Sequence, residues 1–518
     1  MSKPVRNIVV VGGGSAGWLT AGVLAAEHDA GAGGARITLI ESPDVNPVGV
    51  GEGTWPSMRD TLRKMGVSET EFIRQCNVSF KQASKFVHWV TGEPGDYYYH
   101  PFSVPAGFGR VDAAPLWRLA YPHRRYADVV SFQPQLCEQG KAPKQAATPE
   151  FAAVANYAYH LDAGKFGQFL QAHCTKQLGV HHVLEHVRGI RAADNGDIAA
   201  LQLANDDELQ GDLFIDCTGF SSMLLGGHFG IPFVSRSGEL FCDTAQAVQV
   251  PYANANADIA SHTISTAQSA GWIWDIGLPT RRGTGHVYSS AHTSDEEAVR
   301  ALESYVRQTG GDWDGISGTV RKFSINPGHR EVFWHRNCVA VGIAAGFIEP
   351  LEASALALIE MSAAMIADDL PATRELMDSA ARRFNERALY RWGRIIDFLK
   401  LHYLLSQRSD SEFWIDNRSS ETVSPRLQEL LEIWKYRSPS RRDFHEIEEI
   451  FPAASYQFVL HGMGFEQLAE PPARRSTRPQ DAEPFVRENN ALAAKYLAGL
   501  PSNRALIEHV NKHGLKRI

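Results

Sequence analysis

The chain has 518 residues, 44% of them hydrophobic and 21% charged, and carries a formal net charge of −8. This length exceeds what one hydrophobic core normally fills, so we expect a large main domain and a second lobe. The composition is that of an ordinary globular protein, and it argues against the basic surface that a nucleic-acid-binding protein needs.

Six cysteines are scattered along the chain without any Cys-x-x-Cys pair. This spacing argues against a zinc site and a disulfide framework, and it fits a reducing cytoplasm. No apolar run reaches the ~18–20 residues needed to span a bilayer. The first strand begins almost at the initiator methionine, which leaves no room for a signal peptide. We therefore expect a soluble cytoplasmic protein without a metal or a membrane anchor.

The N-terminal segment has the pattern of a strand, a helix and a second strand. Asn7–Val11 is a short apolar run, and Ser15–His28 has apolar residues on one helical face. Arg36–Ile40 is a second apolar run that ends at Glu41. This order predicts a βαβ unit at the start of an α/β domain.

The middle of the chain alternates between loop-like and strand-like segments. Residues 97–143 are rich in aromatics, proline and turn residues, which predicts loops and short strands. Tyr157–Leu178 reads as a strand end followed by an amphipathic helix, and His181–Phe220 as short strands. Ala245–Ile325 has the pattern of a second sheet.

The last third of the chain is mainly helical. Asn337–Asp368 predicts a strand, a loop and a long helix, and the helical pattern continues from Thr373. Pro471–Pro484 is rich in proline, arginine and serine, which predicts an exposed loop. We expect a body over residues 1–372 with an interleaved substrate sheet, followed by a helical C-terminal lobe over residues 373–518.

A glycine-rich turn lies between the first strand and the first helix. Gly12, Gly14 and Gly17 form G-x-G-x-x-G, in which the first glycine permits the tight turn and the second lets the backbone approach a pyrophosphate. The third allows close packing, and the amides that follow, at Ser15 and Ala16, open a helix whose N-terminus favours anions. Glu41 stands where a ribose hydroxyl would be bound. The pattern predicts a dinucleotide site; a tight turn without ligand is the alternative.

Two further segments favour FAD over NAD. Asp212–Gly219, which contains Asp216, resembles the second flavin-contact motif of the hydroxylase-like flavoproteins. Asn337–Gly342, followed by a helix near Ala353, resembles their third motif. The resemblance implies a FAD-binding, Rossmann-like flavin monooxygenase fold, with Asp216 and Gly342 at the cofactor.

Four segments resemble the flavin-dependent tryptophan halogenases. They are Gly271–Gly277 (GWIWDIG), with Gly277 where the family has proline; Asn77–Phe86 (NVSFKQASKF); Phe347–Ala355 (FIEPLEASA); and Gly49–Pro56 (GVGEGTWP), the family's flavin-side loop, which contains Gly51. The resemblance implies a two-component enzyme in which FADH2 from a separate NAD(P)H-dependent flavin reductase, oxygen and chloride or bromide yield hypohalous acid. This oxidant would halogenate an electron-rich aromatic such as an indole.

The resemblance also assigns roles to residues. Lys81 would hold the hypohalous acid or form a haloamine, and Glu352 would stabilise the cationic ring and help to remove its proton. Trp272, Trp274 and Ile276 would line the tunnel that separates substrate from flavin. Each residue type also has an ordinary explanation: tryptophans belong to cores, lysines to surfaces, and carboxylates to helix N-termini.

The halide and substrate contacts are the least regular part of the resemblance. The amides of Ser354 and Ala355 would bind halide, but the family has Thr-Gly there, and Ala355 would strain the loop if a positive φ were required. His100 and Phe102 resemble the pair that stacks on indole; a packed histidine beside Tyr97–Tyr99 is the alternative. Trp434–Phe451 lacks the tyrosine-rich pattern of the lid that grips free tryptophan, so free tryptophan is not the favoured substrate.

Two other functions use the same features. An aromatic hydroxylase would share the flavin fold but would need its substrate against the flavin, which paired tryptophans would obstruct. A flavin-binding protein without turnover would have no use for Lys81 and Glu352. The sequence leaves open the natural substrate, the position halogenated, the preferred halide and whether the chain forms a homodimer.

Overall fold

The computed structural model of the chain describes residues 4–30, 34–44, 51–446, 449–467 and 475–517. Three segments singled out above, Gly49–Pro56, Trp434–Phe451 and Pro471–Pro484, lie partly outside these ranges.

The strands, in chain order, are β1 (Asn7–Val11), β2 (Arg36–Glu41), β3 (Gly51–Gly53), β4 (Ser79–Lys81), β5 (Ala83–Val87), β6 (Tyr97–Pro101), β7 (Ala158–Asp162), β8 (His181–Leu184), β9 (Val187–Ala192), β10 (Ile198–Leu203), β11 (Glu208–Gln210), β12 (Leu213–Asp216), β13 (Phe233–Ser235), β14 (Thr244–Pro251), β15 (Thr263–Gln268), β16 (Gly271–Gly277), β17 (Arg281–Tyr288), β18 (Arg321–Ser324), β19 (Gly328–Arg330), β20 (Trp334–His335), β21 (Cys338–Ala340) and β22 (Gly346–Phe347).

The helices, in chain order, are α1 (Ser15–Glu27), α2 (Met58–Lys64), α3 (Glu69–Gln75), α4 (Ala114–Ala120), α5 (Tyr126–Val130), α6 (Gln133–Glu138), α7 (Ala163–Gln177), α8 (Asp295–Gln308), α9 (Ser354–Asp368), α10 (Arg374–Leu404), α11 (Glu412–Asp416), α12 (Pro425–Trp434), α13 (Ala453–Gly462), α14 (Pro479–Gly499) and α15 (Asn503–His513). Within the described ranges, no helix combines the length and apolar character required to cross a membrane.

The chain folds into two compact units. The first unit consists of residues 1–77, 161–236 and 326–392, and the second of residues 78–160, 237–325 and 393–518. The chain therefore passes repeatedly from one unit to the other, which agrees with an interleaved substrate sheet. The predicted division at residue 372 does not coincide with a boundary between these units, the nearest of which follows Trp392, and it stays a prediction.

The first unit is built on a six-stranded sheet in the order β20-β21-β12-β1-β2-β8. β1 pairs in parallel with β2 on one side and with β12 on the other. Ile8–Val11 is buried throughout, because a parallel strand covered on both faces is a continuous apolar run. α1 connects β1 to β2 and packs against α7 and α9. The predicted βαβ unit and the α/β fold class are confirmed.

The second unit contains a seven-stranded sheet in the order β18-β14-β17-β16-β15-β5-β6. β16 lies between β15 and β17 and pairs antiparallel with both. Ile273 faces the opposite side from Trp272 and Trp274, because side chains alternate along a strand. It packs in a cluster with Val248 and Leu302, which brings α8 against the sheet. The predicted second sheet region is therefore a sheet, but α8 within it was not predicted.

Two predicted loops are wrong in part. Residues 97–143 begin with β6 but then form α4, α5 and α6. Their small and aromatic side chains pack with Phe458 and Val486 in one buried cluster, and this tertiary packing outweighs the turn-rich composition. The segment Pro471–Pro484 enters α14 at Pro479, a first-turn position where proline costs no hydrogen bond.

Candidate active site

The turn after β1 is shaped by two glycines that have no room for a side chain. Gly12 has a φ of +115°, and a Cβ there would lie 2.3 Å from the carbonyl oxygen of Cys217 on the neighbouring chain segment. A Cβ at Gly17 would lie 1.8 Å from the carbonyl oxygen of Gly12. Both glycines are therefore required by the packing of β1, β12 and α1, whether or not a ligand is bound.

Gly14 differs from these two glycines. Nothing lies within 4 Å of the position that its Cβ would occupy, and its backbone is extended, which any residue can adopt. The open side of the turn faces the start of α1 at Ser15, where the first-turn amides have no partner inside the helix. The packing of the protein itself does not require a glycine at position 14. The absence of a side chain there is instead explained if a pyrophosphate approaches the backbone closely.

A second glycine turn meets this one. Gly342 follows β21 with a φ of +71°, and a Cβ there would lie 2.8 Å from the Cβ of Ala16. The close approach places the turn after β21 against the first turn of α1. The two segments predicted to contact the cofactor, which lie far apart in the sequence, therefore adjoin.

Glu41 lies at the end of β2 and holds a partner of its own. Its Oε1 lies 2.8 Å from Nε2 of His182, and its side chain is 20% exposed. A Cβ at Gly13 would overlap Oε2, so Gly13 is needed to admit this carboxylate beside the turn. A carboxylate at this place can accept a hydrogen bond from a ribose hydroxyl. Gly13, which the sequence pattern did not single out, makes room for that carboxylate.

Asp216, predicted as a cofactor contact, accepts hydrogen bonds from other residues of the protein. It is fully buried, and its Oδ1 accepts hydrogen bonds from the amide and the hydroxyl of Thr218. Its Oδ2 accepts hydrogen bonds from the amides of Leu224 and Leu225. The carboxylate therefore fixes the turn that follows β12. Direct contact with a cofactor stays a prediction, as it does for Gly51, which begins β3.

Lys81 is buried, so the surface explanation for it is wrong. It ends β4, which pairs with β7, and the residue is 1% exposed. Its Nζ lies 5.4 Å from the centre of the Phe102 ring, within the range of a cation–π contact. The amide of Phe102 donates to the carbonyl of Gln82, which fixes that ring's backbone beside the strand. Lys81 and Phe102, predicted separately, thus belong to one local site.

His160 is a neighbour of Lys81 that the sequence did not indicate. It lies on β7 and is fully buried, with Nε2 2.8 Å from the hydroxyl of Thr263. Burial, followed by the charge of Lys81, lowers its pKa well below the usual value. The ring is therefore neutral at physiological pH and adds no second cation beside Lys81. Only the pairing of β4 with β7 brings the two together.

Trp272 and Trp274 lie side by side on one face of β16. Their ring centres are 6.4 Å apart, and both residues are at most 8% exposed. Trp274 pairs with Gly285 on β17, and a Cβ at Gly285 would lie 2.2 Å from the indole. Gly285 thus makes room for the second indole. Ile276 follows on the same face of the strand and is 6% exposed.

His100 lies in an aromatic cluster on β6. It is 7% exposed, and its ring centre lies 5.7 Å from that of Phe398, 6.5 Å from Phe451 and 6.3 Å from Phe458. These rings come from α10, the segment before α13, and α13. None was predicted, because the residues are more than 290 positions from His100. The histidine is therefore packed, but against the C-terminal helices rather than only beside Tyr97–Tyr99.

Glu352 does not begin an ordinary helix. It has a φ of +64° and Ala353 a φ of +56°, and α9 begins only at Ser354. Such left-handed geometry costs an ordinary residue of order 1–3 kcal/mol and persists where the surroundings impose it. The strain expected at Ala355 is therefore misplaced: Ala355 is helical, and the two residues before Ser354 carry the positive φ values.

One hydrogen bond that the sequence did not reveal reaches this turn. The indole Nε1 of Trp55 donates to the carbonyl oxygen of Glu352 at 2.7 Å. Two residues later, the hydroxyl of Ser57 donates to Oε1 of Glu360, and that of Thr61 donates to Oε2. Burial raises the pKa of Glu360 to about 8 and that of Glu52 to about 7. The segment that leads into α2 therefore contacts both the turn at Glu352 and α9.

A small cavity opens beside the start of α9. Its volume is about 50 Å³, and Ser354 and Ala355 both line it. Gly342, Phe347 and Trp392 form other parts of the wall. The residues predicted to bind halide thus face open space next to the glycine turn. Lys81 belongs to the second unit, whereas Glu352 and this cavity belong to the first.

The family model of the tryptophan halogenases matches residues 7–477 of the chain. The chain belongs to the tryptophan halogenase family. Tryptophan 6-halogenase SttH of Streptomyces toxytricini is 32% identical over 503 residues, which cover 92% of this chain and 93% of SttH. Tryptophan 7-halogenase RebH of Lentzea aerocolonigenes is 28% identical, over 93% of this chain and 94% of RebH.

Solved structures agree with this family assignment. The crystal structure of a tryptophan halogenase from Shewanella frigidimarina superposes with a TM-score of 0.95 at 47% identity, covering 100% of this chain and 99% of that one. BrvH, a flavin-dependent halogenase from Brevundimonas, superposes with a TM-score of 0.86 at 31% identity, covering 98% and 99%. The predicted resemblance is confirmed, and this tryptophan halogenase family member is an enzyme of the flavin-dependent halogenase class.

Proposed function

We propose that this halogenase uses FADH2, supplied by a separate NAD(P)H-dependent flavin reductase, to halogenate an electron-rich aromatic ring such as an indole. The reduced flavin, when bound, supplies hypohalous acid from oxygen and chloride or bromide. The observation that carries the proposal is the burial of Lys81 beside the Phe102 ring, because a lysine is almost never fully buried unless its amine is engaged.

Lys81 would hold the oxidant next to the substrate. Its ammonium group can donate a hydrogen bond to the oxygen of hypohalous acid, and the neutral His160 adds no competing positive charge at its side. The face of Phe102 supplies a flat surface near the Lys81 amine, where an aromatic substrate can stack. The ring carbon then attacks the halogen, a carbon–halogen bond forms and the halogen–oxygen bond breaks. The departing oxygen takes a proton from the Lys81 ammonium group and leaves as water, while the ring proton goes to Glu352.

Glu352 would act on the cation that this attack produces. A carboxylate beside the ring stabilises the positive charge and accepts the proton that leaves the halogenated carbon. Its strained backbone supports this role, because left-handed residues of this kind cluster at functional sites. Ser354 and Ala355 would bind halide through their amides at the helix N-terminus, and the cavity beside them has room for an ion.

Trp272, Trp274 and Ile276 would separate substrate from flavin. Two indoles on one face of β16 would form a wall that a small oxidant passes along and an aromatic substrate does not. This arrangement favours halogenation over the alternative of ring hydroxylation, which would need substrate and flavin in contact. Gly12, Gly14, Ser15, Ala16, Gly17, Glu41 and Gly342 would form the FAD site.

We propose indole, or a larger indole-bearing molecule, as a better substrate than free tryptophan. Asp443, an acid in the segment where the lid would lie, has a 3% exposed side chain and pairs with Arg437. It also accepts hydrogen bonds from the indole of Trp434 and the amide of Ser440. This carboxylate is therefore already engaged and cannot grip the ammonium group of an amino acid without losing these partners.

The test is product analysis with the complete system. The enzyme would be incubated with FAD, a flavin reductase, NADH and bromide or chloride, and a panel of indoles, phenols and pyrroles would be followed by mass spectrometry. Halogenated indoles should form faster than halogenated tryptophan. Hydroxylated products in halide-free buffer, or a wide preference for free tryptophan, would contradict the reaction or the substrate class respectively.

A further inference from the structure

The turn at Glu352 accepts a hydrogen bond from a distant part of the chain. Glu352 and Ala353 are consecutive non-glycine residues in the left-handed region, between the Pro350 carbonyl and the start of α9. Inside the turn, the amide of Ala353 donates to the carbonyl of Pro350 at 2.9 Å. The carbonyl of Glu352 accepts its hydrogen bond from a residue 297 positions away, at the indole Nε1 of Trp55.

The segment that contains Trp55 contacts both α9 and the turn that precedes it. Trp55 bonds the turn at Glu352, and the hydroxyls of Ser57 and Thr61 bond the carboxyl of Glu360, eight positions after Glu352. The second contact fixes α9, and the first fixes the peptide that precedes it. The orientation of the Glu352 backbone, and with it the direction of its side chain, is therefore set relative to a helix that is itself held.

We propose that Trp55 is a positioning residue that orients Glu352 for halogenation through the bond between its indole N–H and the Glu352 carbonyl. The proposal rests on the proposed role of Glu352. Without this donor, the peptide after Glu352 can rotate out of the left-handed region, and the carboxylate then points away from its working direction. Trp55 itself touches neither substrate nor oxidant in this proposal.

The test replaces the donor and keeps the ring. Trp55→Phe should lower the kcat of halogenation about 10-fold to 100-fold, the size of loss expected when a catalytic group is misplaced by about 1 Å. The KM for indole should stay within about twofold, because in this proposal substrate binding does not depend on the Glu352 carboxylate. Trp334→Phe is the matched control: its indole N–H also donates to a backbone carbonyl, that of Arg336, and its kcat should stay within about twofold.

A double-mutant cycle separates positioning from general damage. In a Glu352→Gln background, Trp55→Phe should lower the kcat of halogenation further by less than about twofold, because the carboxylate that Trp55 orients is already lost. Equal proportional losses in both backgrounds, or a wild-type kcat in Trp55→Phe, would overturn the inference while leaving the proposed function intact. Full activity in Glu352→Gln alone would instead remove the proposed role of Glu352.

Two further measurements cover a variant that fails to fold. Benzothienylalanine at position 55 keeps the shape of the indole but replaces the N–H by sulfur, and it should show the same loss of kcat. In the protein without flavin, the indole N–H of Trp55 should exchange slowly with solvent in 15N NMR spectra. Rapid exchange, as at an exposed indole, would show that the bond to Glu352 is not formed and would overturn the proposal.

Discussion

The indole of Trp274 lies directly over the α-carbon of Gly285 on the neighbouring strand. A Cβ at Gly285 would be 2.2 Å from the ring atoms of Trp274, far inside normal contact distance. Any side chain at position 285 must therefore displace an indole that lies beside Trp272. The position of the proposed wall between substrate and flavin thus depends on a glycine in the next strand.

Gly285→Ala should therefore destabilise the enzyme. Overpacking of a buried contact typically costs about 1–3 kcal/mol, and we expect a loss of this size in the free energy of unfolding measured with urea. Trp274→Phe in the same chain should recover part of the loss, because the smaller ring leaves room for the methyl group. Additive losses in the double variant would show that the two residues do not share this contact.

Gly14→Val should abolish FAD binding without unfolding the chain. The valine side chain enters space that is empty in the protein, at an extended backbone, so the free energy of unfolding should change by less than about 0.5 kcal/mol. FAD affinity can be followed by fluorescence titration. Gly12→Ala is the contrasting variant, since its methyl group would collide with the Cys217 carbonyl and should unfold the domain. A folded Gly14→Val protein with wild-type affinity would contradict the dinucleotide site.

Glu360→Gln should stabilise the enzyme in a pH-dependent way. Burial raises the pKa of Glu360 from 4.5 to about 8, so the folded protein keeps a proton that the unfolded chain releases above pH 4.5. Stability contributed by the protonated carboxyl is present below pH 4.5 and is lost as the pH rises to 8. Glutamine is neutral throughout and should retain the contacts with Thr61 and Ser57.

The difference between Glu360→Gln and wild type should grow by a few kcal/mol between pH 5 and pH 8, because each unit of pKa shift corresponds to about 1.4 kcal/mol. Urea unfolding at several pH values measures it. Glu386→Gln, an exposed glutamate in α10 with a 64% exposed side chain, should show no such growth and serves as the control. A constant difference across this range would mean that Glu360 is ionised in the folded protein.

Local patterns predicted the parts of the fold that depend on local sequence. β1, α1 and β2 were predicted almost to the residue, because apolar periodicity and a glycine turn specify them without help from distant residues. The helices α4 to α6 were missed, because their sequences are short and rich in turn residues. They are stabilised by packing on α13 and α14, which lie more than 300 positions later.

The same distinction holds for the candidate site. Lys81, Glu352, Trp272 and Trp274 were found because their segments resemble a family. Trp55 contacts Glu352, which lies 297 positions later, and His160 is brought near Lys81 by the pairing of β4 with β7. No spacing in the sequence indicates either contact. The left-handed turn at Glu352 was missed for another reason: neither of its residues is glycine, so the sequence gives no sign of the strain that the fold imposes.

Lys81→Ala should eliminate halogenation, because no other group would then hold the oxidant next to the ring. Reoxidation of reduced flavin by oxygen should continue, since that chemistry does not involve Lys81. Product formation by mass spectrometry and flavin absorbance measured together would separate the two. Lys85→Ala, the same change on the next strand along the chain at a lysine that pairs with Glu138, should keep halogenation within a few-fold of wild type.

Glu352→Gln should leave some activity, because the loss of one electrostatic stabiliser typically costs about 10²–10³ in rate. Adding Glu352→Gln to Lys81→Ala should cause no further measurable loss, as expected for two groups that serve one transition state. The decisive result is the rate of Lys81→Ala itself. If that variant halogenates indole at nearly the wild-type rate, freely diffusing hypohalous acid is the halogenating agent, and the buried lysine beside Phe102 has only a structural role.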